Sequence, residues 1–128
     1  MHVHVSYKMD KSCPVSKIEM NGLLTKAMDY FLGLPSDQVF YSKERRSAYG
    51  VLGAYRDTAY GFEYRSLGGF FTKKQYLGWI YDQTVKAVQF CSRIENLELL
   101  RNIHEAKIEN YEKIGINLEE QIPEKIKV

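Results

Sequence analysis

Two short segments of this chain alternate with a period of two, and that alternation constrains the fold more than any other feature. The first, His2-Val3-His4-Val5-Ser6, stands at the start of the sequence; the second, Tyr60-Gly61-Phe62-Glu63-Tyr64-Arg65, lies in its middle. On a β-strand successive side chains point to opposite faces, so His2 and His4 share one face while Val3 and Val5 share the other. The same rule pairs Glu63 with Arg65. If both segments are strands of one sheet, two imidazoles, a carboxylate and a guanidinium converge on one surface and the apolar neighbours anchor the opposite one. Imidazole and carboxylate ligate divalent metals, and imidazole N–H and guanidinium groups donate to phosphate oxygens. Alone, an HxH or a Glu-x-Arg usually marks an exposed strand. Here Phe62 and Tyr64 satisfy the preference of strands for aromatic residues while Glu63 and Arg65 do not, so the charged face needs a reason.

The rest of the pattern is largely helical. Residues 2–9 read as a strand left through the polar turn Asp10 to Pro14. Ser16 to Glu19 is a capping box before Met20, Leu23, Leu24, Ala27, Met28 and Phe31, and Gly33 with Pro35 supplies a stop, which predicts a helix over residues 17–33. Between Val39 and Phe71 the Tyr-, Phe- and Gly-rich sequence predicts two or three short antiparallel strands with a hairpin near Asp57-Thr58-Ala59. A second box, Thr72 to Gln75, opens a helix with an inward stripe of Leu77, Ile80, Tyr81, Thr84, Val88 and Cys91. A third, Ser92 to Glu95, hints at a break before a stripe of Leu97, Leu100, Ile103, His104, Ile108 and Tyr111, ended by Gly115, with one long bent helix as the alternative. These patterns predict an α+β domain over residues 1–115, a small antiparallel sheet packed against about three helices, followed by a charged tail, 116–128, expected to be loose or to lie along a partner.

At 128 residues and 45% hydrophobic the chain has material for one compact domain. Eighteen basic against sixteen acidic residues give a net charge of +2, which argues against a protein dominated by nucleic-acid backbone contacts. Any basic function is therefore local, and Arg45, Arg46, Arg56 and Arg65 cluster around the aromatic segment. Arginine's planar fork grips carboxylates and phosphates with paired hydrogen bonds, so these residues favour oxyanion recognition. Cys13 and Cys91 lack metal-motif or disulfide-framework spacing, and Cys91 reads as a core residue. No run of about 18 apolar residues and no charged, hydrophobic leader is present, so the expectation is a soluble cytoplasmic protein without membrane contact.

Met1 to Ser6 resembles the glutamine synthetase strand that carries an HxH, and Phe62 to Arg65 resembles a later strand of the same superfamily with a Glu and, two residues on, an Arg. Glu44-Arg45-Arg46 through Tyr49-Gly50, Gly53 to Arg56, Tyr60 to Arg65 and Trp79 to Thr84 are similar to phage-type carboxylate–amine ligases, amidoligases related to glutamate–cysteine ligase. The resemblance covers about residues 1–90. It implies ATP and Mg²⁺ or Mn²⁺ as cofactors and a carboxylate and an amine as substrates. It further implies His2 and Glu63 as metal ligands, His4 as an ATP contact, Arg56 and Arg65 as phosphate or acyl-phosphate contacts, and Arg45 or Arg46 as holders of the substrate carboxylate. In that family the HxH strand follows others that supply most metal-binding carboxylates, so the chain looks like a C-terminal half, needing a separate N-terminal half or self-association. A non-catalytic protein-interaction module on the same scaffold is the leading alternative, and a single-strand nucleic-acid-binding module a third.

Overall fold

The computed structural model describes residues 2–40, 52–67 and 74–126. Three strands, β1 (Val3–Ser6), β2 (Tyr55–Asp57) and β3 (Gly61–Tyr64), form one antiparallel sheet in the order β1-β3-β2. The α-helices among the described residues are α1 (Lys17–Met28), α2 (Leu34–Phe40), α3 (Lys74–Phe90), α4 (Ile94–Arg101) and the single turn α5 (Tyr111–Ile114), and the chain is an α+β protein as its sequence predicts. The central strand carries Phe62 and Tyr64, both fully buried on the helix side, where Val5 joins them. The rings of Tyr7 and Tyr55 each meet Phe62 edge-on at 6.5 Å. The β2–β3 hairpin turns through Thr58 to Tyr60, where the sequence places it, and Thr58 N–H donates to the Gly61 carbonyl at 3.0 Å. β1 and β3 approach so closely at Gly61 that a Cβ there would lie 1.8 Å from the Val5 carbonyl oxygen, so only glycine fits.

The first helix starts where the capping box puts it, Ser16 Oγ accepting from Glu19 N–H at 3.1 Å. It does not stop at Gly33 and Pro35. A π-helical turn, Asp29–Gly33, carries it directly into α2. In that turn Leu34 N–H bonds the Asp29 carbonyl, leaving the Tyr30 carbonyl without its helical donor, and Pro35 has no N–H for the Phe31 carbonyl. Both are met from elsewhere: Tyr111 Oη donates to the Tyr30 carbonyl, and Gln83 Nε2 donates to the Phe31 carbonyl at 2.6 Å. Gly33 serves close packing, since a Cβ there would lie 2.6 Å from Leu52 and from Tyr64 Oη. Tertiary donors thus rescue a proline that the local pattern reads as a terminator.

Leu24, Met28, Phe31 and Ile80 are buried as expected, and Val88 is half-buried. The face of α3 is turned relative to the predicted stripe: Leu77 and Tyr81 are exposed, and the buried row is Tyr76, Trp79, Ile80, Gln83 and Ala87. The reason is polar and specific. Gln83 is drawn inward by the Phe31 carbonyl and by Gln121 Oε1 at 2.9 Å, and Trp79 Nε1 donates to the Gln121 carbonyl at 2.9 Å. Gln121, Ile122 and Ile126 are buried, so the segment expected to be loose packs over α3 through residue 126. The break near Ser92 is present, but Ser92 Oγ donates back to the Gln89 carbonyl and Arg93 is the cap position. α4 ends at Arg101, so no continuous stripe reaches Tyr111: Ile103 and Tyr111 are buried, while His104 and Ile108 are exposed. Gly115 closes α5 with φ 74°, the left-handed conformation its position predicts.

Candidate functional site

Strand register decides which side chains meet. His4, Glu63 and Arg56 are direct cross-strand partners, one from each strand, and form a row across the sheet. His2 and Arg65 lie one step along on the same face, opposite to the helices that cover Phe62 and Tyr64. Glu63 is the pivot. Its side chain is 4% exposed, whereas those of His2, Arg65 and Arg56 are 44%, 43% and 63% exposed. Glu63 Oε1 is 2.5 Å from His2 Nδ1 and 4.0 Å from Arg65 Nε. Oε2 is 2.7 Å from Arg56 Nη2, yet no contact on this oxygen has hydrogen-bond geometry among the described residues.

The electrostatics are one-sided. Burial is the largest single influence on the Glu63 carboxyl and pushes its pKa up, but Arg56, then His2, His4 and Arg65, together outweigh it and hold the group below its usual value. Glu63 is therefore an anion around which two guanidinium groups and two imidazoles are gathered, a surface that attracts further negative charge.

A divalent cation finds part of what it needs. His2 Nδ1 and Glu63 Oε1 converge, and Glu63 Oε2 is a buried oxygen without a hydrogen bond. Among the described residues, however, no group of three His, Cys, Asp or Glu side chains is placed to hold an ion. Mg²⁺ commonly binds through one or two carboxylates and completes its octahedron with water and substrate phosphates. The donors present fit a cation that arrives with phosphate oxygens of its own, rather than one caged by these residues alone.

The four residues that the alternation singles out, His2, His4, Glu63 and Arg65, thus share one face, and Arg56 of the arginine cluster joins them. Arg45 and Arg46, expected at the substrate carboxylate, lie outside the described residues. A cavity of about 640 Å³ opens on the other side of the sheet, where Lys26, Asp29 and Tyr30 of the first helix face Tyr55. The sheet separates it from Glu63. The residue that sequence reasoning missed is Asn21, an amide buried among the apolar positions of α1. Its signal was there to read, since Met20 and Leu24 flank it on the inward face.

The chain matches the family model of the phage phiEco32-like COOH.NH2 ligase-type 2 over residues 3–111. It belongs to that family. No curated protein and no solved structure gives a match. The COOH.NH2 ligase-type match runs from β1 to Tyr111, so His4, Arg56, Glu63 and Arg65 fall inside it and His2 stands just before it. No helix among the described residues of this COOH.NH2 ligase-type chain is long and apolar enough to cross a membrane.

Proposed function

We propose that the Glu63 face is the phosphate-handling part of an ATP-dependent carboxylate–amine ligase. The observation that carries this reading is the single row His4–Glu63–Arg56, flanked by His2 and Arg65, in which two guanidinium groups and two imidazoles surround one buried carboxylate.

The chemistry explains why a ligase needs such a face. An amine does not displace oxide from a carboxylate, so the acid is first phosphorylated by ATP and the amine then expels phosphate from the acyl-phosphate. Charge spreads over the transferring phosphoryl oxygens, and catalysis lies chiefly in positioning and neutralising it. Arg65 and Arg56 supply forked donors to those oxygens, and His4 donates an N–H to a neighbouring phosphate. Glu63 holds Arg56 in place through its buried carboxylate. His2 with Glu63 would hold a phosphate-chelated Mg²⁺ or Mn²⁺, which supplies further neutralisation of the same charge. The remaining oxygen ligands come from the nucleotide, from water, or from residues beyond those described, including those of a second polypeptide. The acid and the amine are the substrates this reading requires.

Arg65→Ala tests it. A hydrogen bond to a charged group contributes about 1.5–3 kcal/mol, so the loss should weaken ATP binding roughly 10- to 100-fold while the fold, whose core Arg65 does not enter, is kept. Calorimetric titration with ATP and Mg²⁺, alongside assays of ATP-dependent amide formation over mixed acids and amines, measures it. Unchanged affinity in Arg65→Ala would remove the phosphate reading. Polynucleotide binding that falls steeply with salt would replace it with the single-strand alternative.

A further inference from the structure

The face is built on thin support at one edge. β2 has three residues, all exposed, and pairs with β3 alone among the described residues. Burial therefore does little to fix Arg56. A helix side chain does more. Asn21 of α1 is 1% exposed and reaches the residue that follows β1, the last residue of β2 and the first residue of β3. Its Oδ1 accepts from Tyr7 Oη, just past β1. Its Nδ2 donates to Asp57 Oδ1, the last residue of β2, at 2.8 Å, and to the carbonyl of Gly61, the first residue of β3, at 2.9 Å.

The orientation of this amide is dictated by its neighbours. The Gly61 carbonyl can only accept, so the nitrogen faces it, and both donors and the acceptor are in use. Burial, with Asp57 and the two cysteine thiols, pushes the Tyr7 phenol up to about 12, so it remains a donor at any working pH. A further tie from the same helix, Lys17 Nζ to the Ala59 carbonyl, reaches the hairpin turn. The residues clamped are neighbours of the functional row: Asp57 follows Arg56, Gly61 stands two before Glu63, and Tyr7 stands three after His4.

We infer that Asn21 is a positioning residue for the phosphate-handling face: from behind the sheet it fixes the three strand ends relative to one another, and so the spacing of His4, Glu63 and Arg56. The consequence for ligand binding rests on the proposed function; the geometric claim does not.

The test uses the full chain and two kinds of readout. Asn21→Asp keeps the acceptor for Tyr7, loses the donors and sets a second carboxylate against Asp57. Asn21→Asp combined with Asp57→Asn restores a donor–acceptor pair between α1 and β2. Without ligand, Asn21→Asp should shift the His2 imidazole resonance, which reports the contact with Glu63, and speed amide exchange at Arg56 and Glu63; the double variant should return both towards wild type. Tripolyphosphate, used as the probe, should bind Asn21→Asp about tenfold more weakly, with recovery in the double variant, the size of effect that supporting residues typically have on a ligand site. If Asn21→Asp does not fold, Asn21→Ser gives the same readings with a smaller side chain. A lowered melting temperature with His2 and the amides of Arg56 and Glu63 unmoved would overturn the inference, because a merely structural residue behaves that way. Wild-type protein that ignores tripolyphosphate would instead overturn the phosphate reading, and the ligand-free spectra would still decide the role of Asn21.

Discussion

Under the proposed phosphate-handling role, Glu63→Gln should lower ATP-dependent turnover of the completed ligase by about 100- to 1,000-fold, the order of effect of removing one preorganised electrostatic group from an acyl-transfer site. The amide matches the carboxylate in shape, so the space the buried side chain fills is kept. What disappears is the negative charge that Arg56, His2, His4 and Arg65 surround. Arg56, 63% exposed and held 2.7 Å from Oε2, loses its anchor and becomes a mobile surface side chain. In the proposed role, a bound metal–nucleotide complex would lose an anionic ligand in the same step.

Stability carries a pH signature of the same residue. The folded pKa of Glu63 lies below its unfolded value, so its ion pairs stabilise the protein above the ordinary carboxylate range. That contribution is lost as pH falls through the folded pKa. Thermal melts from pH 7 down to pH 3 should therefore show an acid-side loss in wild type that is smaller in Glu63→Gln. Identical acid limbs, or full turnover in the variant, would show that the carboxylate does not organise the face.

Trp79→Ala should be the most damaging single change in the core. The indole is 2% exposed, and removing a buried aromatic of this size costs about 3–5 kcal/mol. The total stability of a small domain is only about 5–15 kcal/mol. The same substitution strips the Nε1 donor from the Gln121 carbonyl and so loosens the segment 116–126 from α3. Trp79→Phe helps separate the two effects, since it retains most of the bulk and removes the hydrogen bond, at about 1–3 kcal/mol for the stranded carbonyl on top of a smaller cavity cost. Tyr81, two positions on and 70% exposed, provides the control: Tyr81→Ala should change stability by less than about 0.5 kcal/mol. Chemical denaturation of the three variants measures the order, and equal costs at Trp79 and Tyr81 would mean that the buried face of α3 is wrong.

The grouping of His2, His4, Glu63 and Arg65 on one face was legible because period-two alternation is a local property. Once Phe62 and Tyr64 must point inward, Glu63 and Arg65 must point out, and the antiparallel register sets His4 and Arg56 beside Glu63. The Ser16 cap and the Gly115 stop were legible for the same reason, as each is decided within a few residues. What escaped the sequence depends on partners far along the chain. Gly33 and Pro35 read as a stop until Gln83 and Tyr111 arrive to satisfy the carbonyls they free. Gln83, polar by type, is an inward residue only because Phe31 and Gln121 meet it, and that turns α3 away from Leu77 and Tyr81. Asn21 is polar on an apolar stripe, a signal whose meaning appears only when three strand ends converge on it.

The chain's three histidines report directly on whether nucleotide phosphates bind the Glu63 face. His2 and His4 are on that face, while His104 lines the cavity on the far side of the sheet. Titration with Mn²⁺-ATP, followed through the imidazole proton resonances, should broaden His2 and His4 at substoichiometric metal and leave His104 sharp. Mn²⁺-ATP that broadens His104 first, or that leaves all three lines unchanged at saturating concentration, would contradict the account.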